Sequence, residues 1–198
     1  MSETVCTTAA RAGAIALVAL IATAAGSTEP GLPQPSYHVG DTFVWEHDGE
    51  QWTEEVVAIE GDLITWKASN GDVVATPANF VLPAQSFDQE EHGEGGTEMI
   101  ESEGELFPLE AGKRLSIRFR YLPEQIEESR HCTVGATETK TVPAGIFETI
   151  RITCQEVNRT KIWHYAPEIG TFVSYLNSHR YEQNTPRVLV SFARAGGG

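Results

Sequence analysis

The sequence predicts an all-β, or β-rich α+β, domain built on antiparallel strands. Tight-turn pairs recur at Asp48-Gly49, Gly61-Asp62 and Asn70-Gly71, and such pairs favour the turns that join hairpin strands. The residues between them are largely β-branched or aromatic and alternate with polar ones, which is the period of a half-buried strand. Between Tyr37 and Thr76 no segment sustains a helical apolar repeat.

Length and charge set the frame. A chain of 198 residues predicts one domain plus tails, large enough to bury a core without staples. The net charge of −14 repels nucleic acid phosphates and anionic headgroups, so no nucleic acid partner is expected. Residues 1–27 read as a signal peptide. Arg11 precedes the apolar run Ala12 to Ile21, and Ala22-Thr23-Ala24 meets the small-x-small cleavage rule. The run is short for a bilayer span, which needs ~20 residues. Membrane contact is therefore expected only through this segment, if it stays uncleaved. The implied location is periplasmic or secreted. Residues 28–36 are Pro-rich and predict an extended tether. Residues 37–193 form the domain, and 194–198 a disordered tail.

The elements follow in order. Thr42–His47 alternates, and centring a turn on Asp48-Gly49 puts Trp45 opposite Trp52. A turn at Gly61-Asp62 pairs Ile59 with Ile64 and Val57 with Trp66. Asn70-Gly71 then joins Leu63–Ala68 to Asp72–Thr76. Phe80-Val81-Leu82 is an edge strand or a packed loop. Residues 88–96 are acidic and glycine-rich and predict a mobile, solvated loop. Thr97–Ser102 is a short strand. In Arg114–Tyr121, Leu115, Ile117, Phe119 and Tyr121 share one face, and Arg114, Ser116, Arg118 and Arg120 the other. The arginines are expected to pair with acidic neighbours. Arg187–Ala193 is the last strand.

Cys132 shares a face with Val134, and Cys154 shares one with Ile150 and Ile152. A turn at Pro143-Ala144-Gly145 brings the two strands together. Removal of the signal takes Cys6 with it and leaves two cysteines in an oxidising compartment, which predicts a Cys132–Cys154 disulfide. The alternative is two free, buried thiols. The cysteines are not quite equidistant from the turn, so the pairing asks for a bulge or a longer loop. Pro167 and Gly170 mark a second turn.

Two stretches, Val142-Pro143-Ala144-Gly145-Ile146-Phe147 and Trp163-His164-Tyr165-Ala166-Pro167-Glu168-Ile169-Gly170-Thr171-Phe172-Val173, resemble a V-P-A-G-x-F … W-Y-A-P-x-x-G-x-V pattern. That pattern occurs in exported bacterial proteins of unknown function, including TapB-like proteins and related families. Tyr37-His38-Val39-Gly40-Asp41 resembles the Y-x-x-G-D opening of the same group. His164 is an insertion relative to the pattern. The resemblance implies a curved antiparallel sheet, a half-barrel resembling lipoprotein-carrier domains. It implies no catalytic residues.

Catalytic signatures are missing from the sequence. It has no Gly-x-Ser-x-Gly, Walker loop, His-Glu-x-x-His or Rossmann fingerprint. The six histidines stand singly, no metal-ligand spacing appears, and no cofactor is implied. The expectation is a non-enzymatic domain that binds an apolar or amphipathic ligand; the alternatives are a structural or assembly partner of an envelope protein and, last, a hydrolase whose site is assembled from distant residues. The candidate ligand residues are Trp45, Trp66, Phe119, Trp163, His164 and Tyr165. His164 and Glu168 are the two polar residues of the second stretch worth testing.

Overall fold

The computed structural model describes residues 31–90, 93–179 and 184–196; the expected signal peptide lies outside them. Among the described residues there are twelve strands and no helix. They are β1 (Thr42–His47), β2 (Glu50–Glu60), β3 (Leu63–Ala68), β4 (Val73–Pro77), β5 (Ser86–Gln89), β6 (Gly93–Gly104), β7 (Arg114–Leu122), β8 (Glu127–Val142), β9 (Gly145–Gln155), β10 (Arg159–Ala166), β11 (Thr171–His179) and β12 (Arg187–Ala193). Each pairs antiparallel with its sequence neighbours, and β12 returns to β1, so the sheet is a closed barrel. This corrects the expected half-barrel. An open sheet would leave two unpaired edges. Here β1 and β12 satisfy one another from Thr42–Ala193 to Glu46–Val188.

One strand beyond the expected set, β5, comes from the acidic stretch, and the expected Thr97–Ser102 strand extends back to Gly93 as β6. β5 and β6 pair antiparallel, with Phe87 opposite Gly95 and Asp88 opposite Glu94, so within the expected loop residues 88–89 and 93–96 are strand. The glycines are what permit the pairing. A Cβ on Gly96 would stand 2.2 Å from the Gln85 carbonyl oxygen, and one on Gly95 would stand 2.5 Å from the Phe87 ring. Close backbone approach, and not disorder, is what glycine supplies here.

The predicted registers hold with one exception. Trp45 faces Trp52, and Ile59 faces Ile64. A bulge shifts the next pair, so Trp66 lies opposite Val56 and not Val57. Such bulges recur between β1 and β12, β6 and β7, β8 and β9, and β10 and β11, and each adds the bend a closing sheet needs. Cys132 and Cys154 are bonded and lie directly opposite one another. The bulge between Val134 and Thr137 absorbs their unequal distances from the turn.

Turns alternate between the two ends of the barrel. One end carries the β1–β2, β3–β4, β5–β6, β7–β8 and β9–β10 turns. The other carries the β2–β3, β8–β9 and β10–β11 turns and the longer β4–β5 and β6–β7 loops. These longer loops fill the lumen. Phe80 stacks on Tyr165 at 5.8 Å between ring centroids, although β4 and β10 are half a circuit apart, so the β4–β5 loop crosses the interior. Val81, Leu106 and Leu109 are buried beside the partly buried Phe80, in one cluster with Phe119, Cys132 and Ile152. Phe80–Leu82 is thus a packed plug, the second of its two expected readings.

Beyond its bulge the β8–β9 hairpin leaves the wall. Its tip donates from Ala144 N to Leu189 O at 3.1 Å, three strands away along the circuit. Glu138 reaches His164 at 2.7 Å on the way. His164 alternates with inward Trp163 and Tyr165, so the hairpin lies across the outer face of β10. That explains why the whole of Trp163–Ala166 is buried.

Residues just before β1 and just after β12 clasp one end of the barrel. Asp41 is fully buried. It accepts from Arg194 Nη1 at 2.6 Å, Ala195 N at 2.8 Å and His38 N at 2.9 Å. Arg194 also donates to Ile169 O, beside Gly170, whose φ of 64° suits glycine. Tyr37 hydrogen-bonds Thr171 at 2.8 Å. Arg194 and Ala195, within the expected disordered tail, are therefore a fastening. Within the expected tether, Leu32 bridges Leu109 in both directions, and residues 31–36 lie against the barrel.

On the outer wall Arg118 pairs with Glu101 at 3.3 Å, and Arg120 with Glu98 at 3.4 Å and Glu127 at 2.7 Å. These are the acidic neighbours expected from the alternation of β7. A bilayer-spanning barrel presents an apolar band there, and this wall presents charge.

Candidate functional site: an aromatic lumen with buried cations

The part of the lumen not filled by the plug is a cavity of about 570 Å3, within the ordinary range for small-molecule sites. Its depth is walled by Tyr37, Phe43 and Trp66, against the clasp. At the other end Asn70, Asp72 and Gln89 line it. Asn70 is exposed, so the cavity opens at the β3–β4 turn beside the end of β5.

Strand alternation delivers the walls. Trp45 and Trp52 face each other across β1 and β2 and both point inward. Trp45 stacks on Phe172 at 4.9 Å, Tyr37 meets Trp66 edge-on at 4.9 Å, and Trp163 lies 5.0 Å from Tyr175. The Trp66 indole is satisfied by Thr76 Oγ1 at 2.9 Å.

Three cations line this apolar space: Arg130, Lys161 and Arg187. The Arg187 guanidinium lies 4.1 Å from the Trp45 ring centroid and 5.2 Å from that of Trp52, a desolvated cation–π arrangement. It donates to Glu54 Oε2 at 2.6 Å, while Trp52 takes Glu54 Oε1 at 3.1 Å. With Glu54 engaged by both, the buried N–H groups of Arg187 Nε and Trp45 Nε1 have no acceptor.

The other two cations share one acid. Glu156 Oε1 accepts from Arg130 Nε at 2.6 Å and from Lys161 Nζ at 3.1 Å. Arg130 also donates to the Val81 carbonyl, tying the plug to the wall. Burial pushes the Glu156 carboxyl up, but Lys161 and Arg130 outweigh it and hold it below the ordinary value. Burial pushes the Lys161 ammonium down, and the neighbouring Arg130 charge adds to that, against the pull of Glu156. Both cations compete for one oxygen, so Lys161 is the more weakly held charge. Tyr175 lies within electrostatic reach of Arg130 and Arg187, and burial pushes its hydroxyl up to about 12. It therefore stays a protonated donor near neutral pH.

Three of the six sequence-predicted residues, Trp45, Trp66 and Trp163, line the cavity. Phe119 and Tyr165 point inward but are packed into the core beneath the plug. His164 faces the other way. Burial and the Lys140 charge push its imidazole below the ordinary value, against the pull of Glu138, and its role is to seat the hairpin. Glu168 lies in the β10–β11 turn, away from the cavity. Sequence reading missed Trp52, Phe172, Tyr175 and all three cations. Parity held the signal: Arg130 shares a face with Cys132 and Val134, Lys161 with Trp163, and Arg187 with Leu189.

No protein-family model matches the sequence, and no curated protein matches it. Among solved structures, the chain is similar to the hypothetical lipoprotein YmcC from Escherichia coli, with 9% identity, TM-score 0.46, and 79% of this chain and 84% of that one covered. It is also similar to a protein with YmcC-like fold, named as exported, from Bacteroides fragilis, with 13% identity, TM-score 0.42, and 83% of this chain and all of that one covered. The fold described above rests on the strand pairing of this chain alone.

Proposed function

We propose that this chain is an exported binding protein whose lumen takes an apolar or amphipathic small molecule. The observation that carries the reading is the cavity of about 570 Å3, walled by tryptophans and open at one end. A protein with no guest to hold gains by filling such a space, because unfilled apolar volume costs stability. Export is supported by the apolar run before Ala22-Thr23-Ala24 and by the disulfide. A role in binding and not catalysis is supported by the placement of the His164–Glu138 pair. It lies under the β8–β9 hairpin, on the far side of the wall from the cavity.

The test is quenching of tryptophan fluorescence by dodecanoate and, separately, by dodecanol, each below the concentration at which it aggregates. The expected result is saturable, one-to-one binding that is lost in Ala68→Trp, which blocks the mouth. Absence of saturable binding by both guests, or binding undiminished in Ala68→Trp, would overturn the reading.

A further inference from the structure

The lumen is more basic than the protein that surrounds it. The chain carries a net charge of −14. Yet the charged side chains that line the cavity are Arg130, Lys161 and Arg187 against Glu54 and Asp72. The acid that balances Arg130 and Lys161, Glu156, does not line the cavity and stands behind them. Glu128, on the inward face of β8 beside Arg130, does not line it either. Arg130 and Lys161 thus face the cavity while Glu156 and Glu128 do not, and the cations of the lining outnumber its two carboxylates, Glu54 and Asp72.

Hydrogen-bond accounting points the same way. Buried polar groups are nearly always paired, but Arg187 Nε and Trp45 Nε1 lack acceptors. Lys161 meets one carboxylate oxygen, although an ammonium has three donors. Glu156 Oε2 and Glu128 Oε2 are the unpaired acceptors of this region, and both stand outside the cavity lining. Donors in excess on the cavity side ask for a guest that brings acceptors. Tyr175 lines that side from β11, as the register partner of Arg187 on β12 and beside β10, the strand that carries Lys161.

We propose that the guest is a monoanionic amphiphile. Its carboxylate sits beside the Tyr175 hydroxyl, within reach of Lys161, Arg130 and Arg187, and its apolar body lies along Trp45, Trp52 and Trp66. This rests on the binding reading above and adds the charge of the guest. A charge-assisted hydrogen bond is worth about twice a neutral one. The desolvated Lys161 gains most from a second anion, because Arg130 already holds their shared carboxylate.

The experiment is calorimetric titration with three guests of one chain length: dodecanoate, dodecanol and dodecylammonium. The wild type is expected to bind dodecanoate roughly tenfold tighter than dodecanol, one charge-assisted contact's worth, and dodecylammonium least well. Tyr175→Phe removes only the hydroxyl, and Lys161→Met leaves Glu156 paired with Arg130. Both are expected to weaken dodecanoate by about tenfold and to leave dodecanol within about twofold. Equal affinity for dodecanoate and dodecanol, a preference for dodecylammonium, or an equal loss of all guests in the variants would overturn the proposal. Should none of the three bind the wild type, the binding reading itself fails. The wild-type series is decisive even if Lys161→Met does not fold.

Discussion

At one end of the barrel Asp41, Arg194, Tyr37 and Thr171 lock the start of β1, the residues just after β12 and the β10–β11 turn together. At the other end Trp52, Arg187 and Lys161 surround open space. Both ends use buried charge, but differently. Asp41 meets every charge and donor near it, and Gly170 lets Arg194 pack closely. Around the cavity, donors are left over. A buried charge fully met by partners is a fastening; one with donors to spare is poised for something else. The barrel thus divides into an end that holds itself together and an end that can hold a guest.

This division can be broken by mutation, and the largest effect belongs to the clasp. Asp41→Ala would strand Arg194 and orphan the His38 and Ala195 amides. Urea unfolding should show a loss of about 3–5 kcal/mol, with dodecanoate affinity unchanged in whatever fraction stays folded. Replacing Cys132 and Cys154 with alanine releases a 22-residue loop and should cost about 3 kcal/mol in the same assay. This too should leave affinity alone.

A pH series sharpens the contrast. Burial pushes the Asp41 carboxyl up, but the His38 amide, Arg194 and the Ala195 amide outweigh it and hold it below its ordinary value of 3.8. A carboxyl depressed in the folded state contributes stability that is whole above its unfolded pKa. That stability drains away as pH falls through the folded one. Melting temperature should therefore fall below about pH 4, and Asp41→Asn should flatten that part of the profile. The smallest effect is expected on the outer wall, where Arg118→Ala removes an exposed pair and should change stability by less than about 0.5 kcal/mol.

How far the sequence showed this differs between the two ends. Trp45 opposite Trp52, and Cys132 opposite Cys154, were legible because turn residues set register and register sets partners. The stretches Tyr37–Asp41 and Ala166–Gly170 stood out as motifs, but their meeting at Arg194 depends on barrel closure, which no local pattern encodes. Closure itself was hidden because Gly95 and Gly96 resemble disorder until Phe87 and Gln85 are seen packed against them. At the open end, alternation told which residues face inward. It did not tell which part of the interior the β4–β5 loop fills, so Phe119 and Tyr165 were read as site residues and are core. His164 could be excluded by parity alone, since neighbours on a strand face opposite ways. Lys161 and Arg187 were passed over because a basic residue on a strand is usually the solvated one.

The central claim is that a guest occupies the lumen, and isotope-edited NMR tests it most directly. With 13C-labelled dodecanoate, the account predicts contacts from the chain to the indole protons of Trp45, Trp52 and Trp66. Contacts confined to the exposed Val57, Met99 or Ile146, or none to any indole, would contradict it.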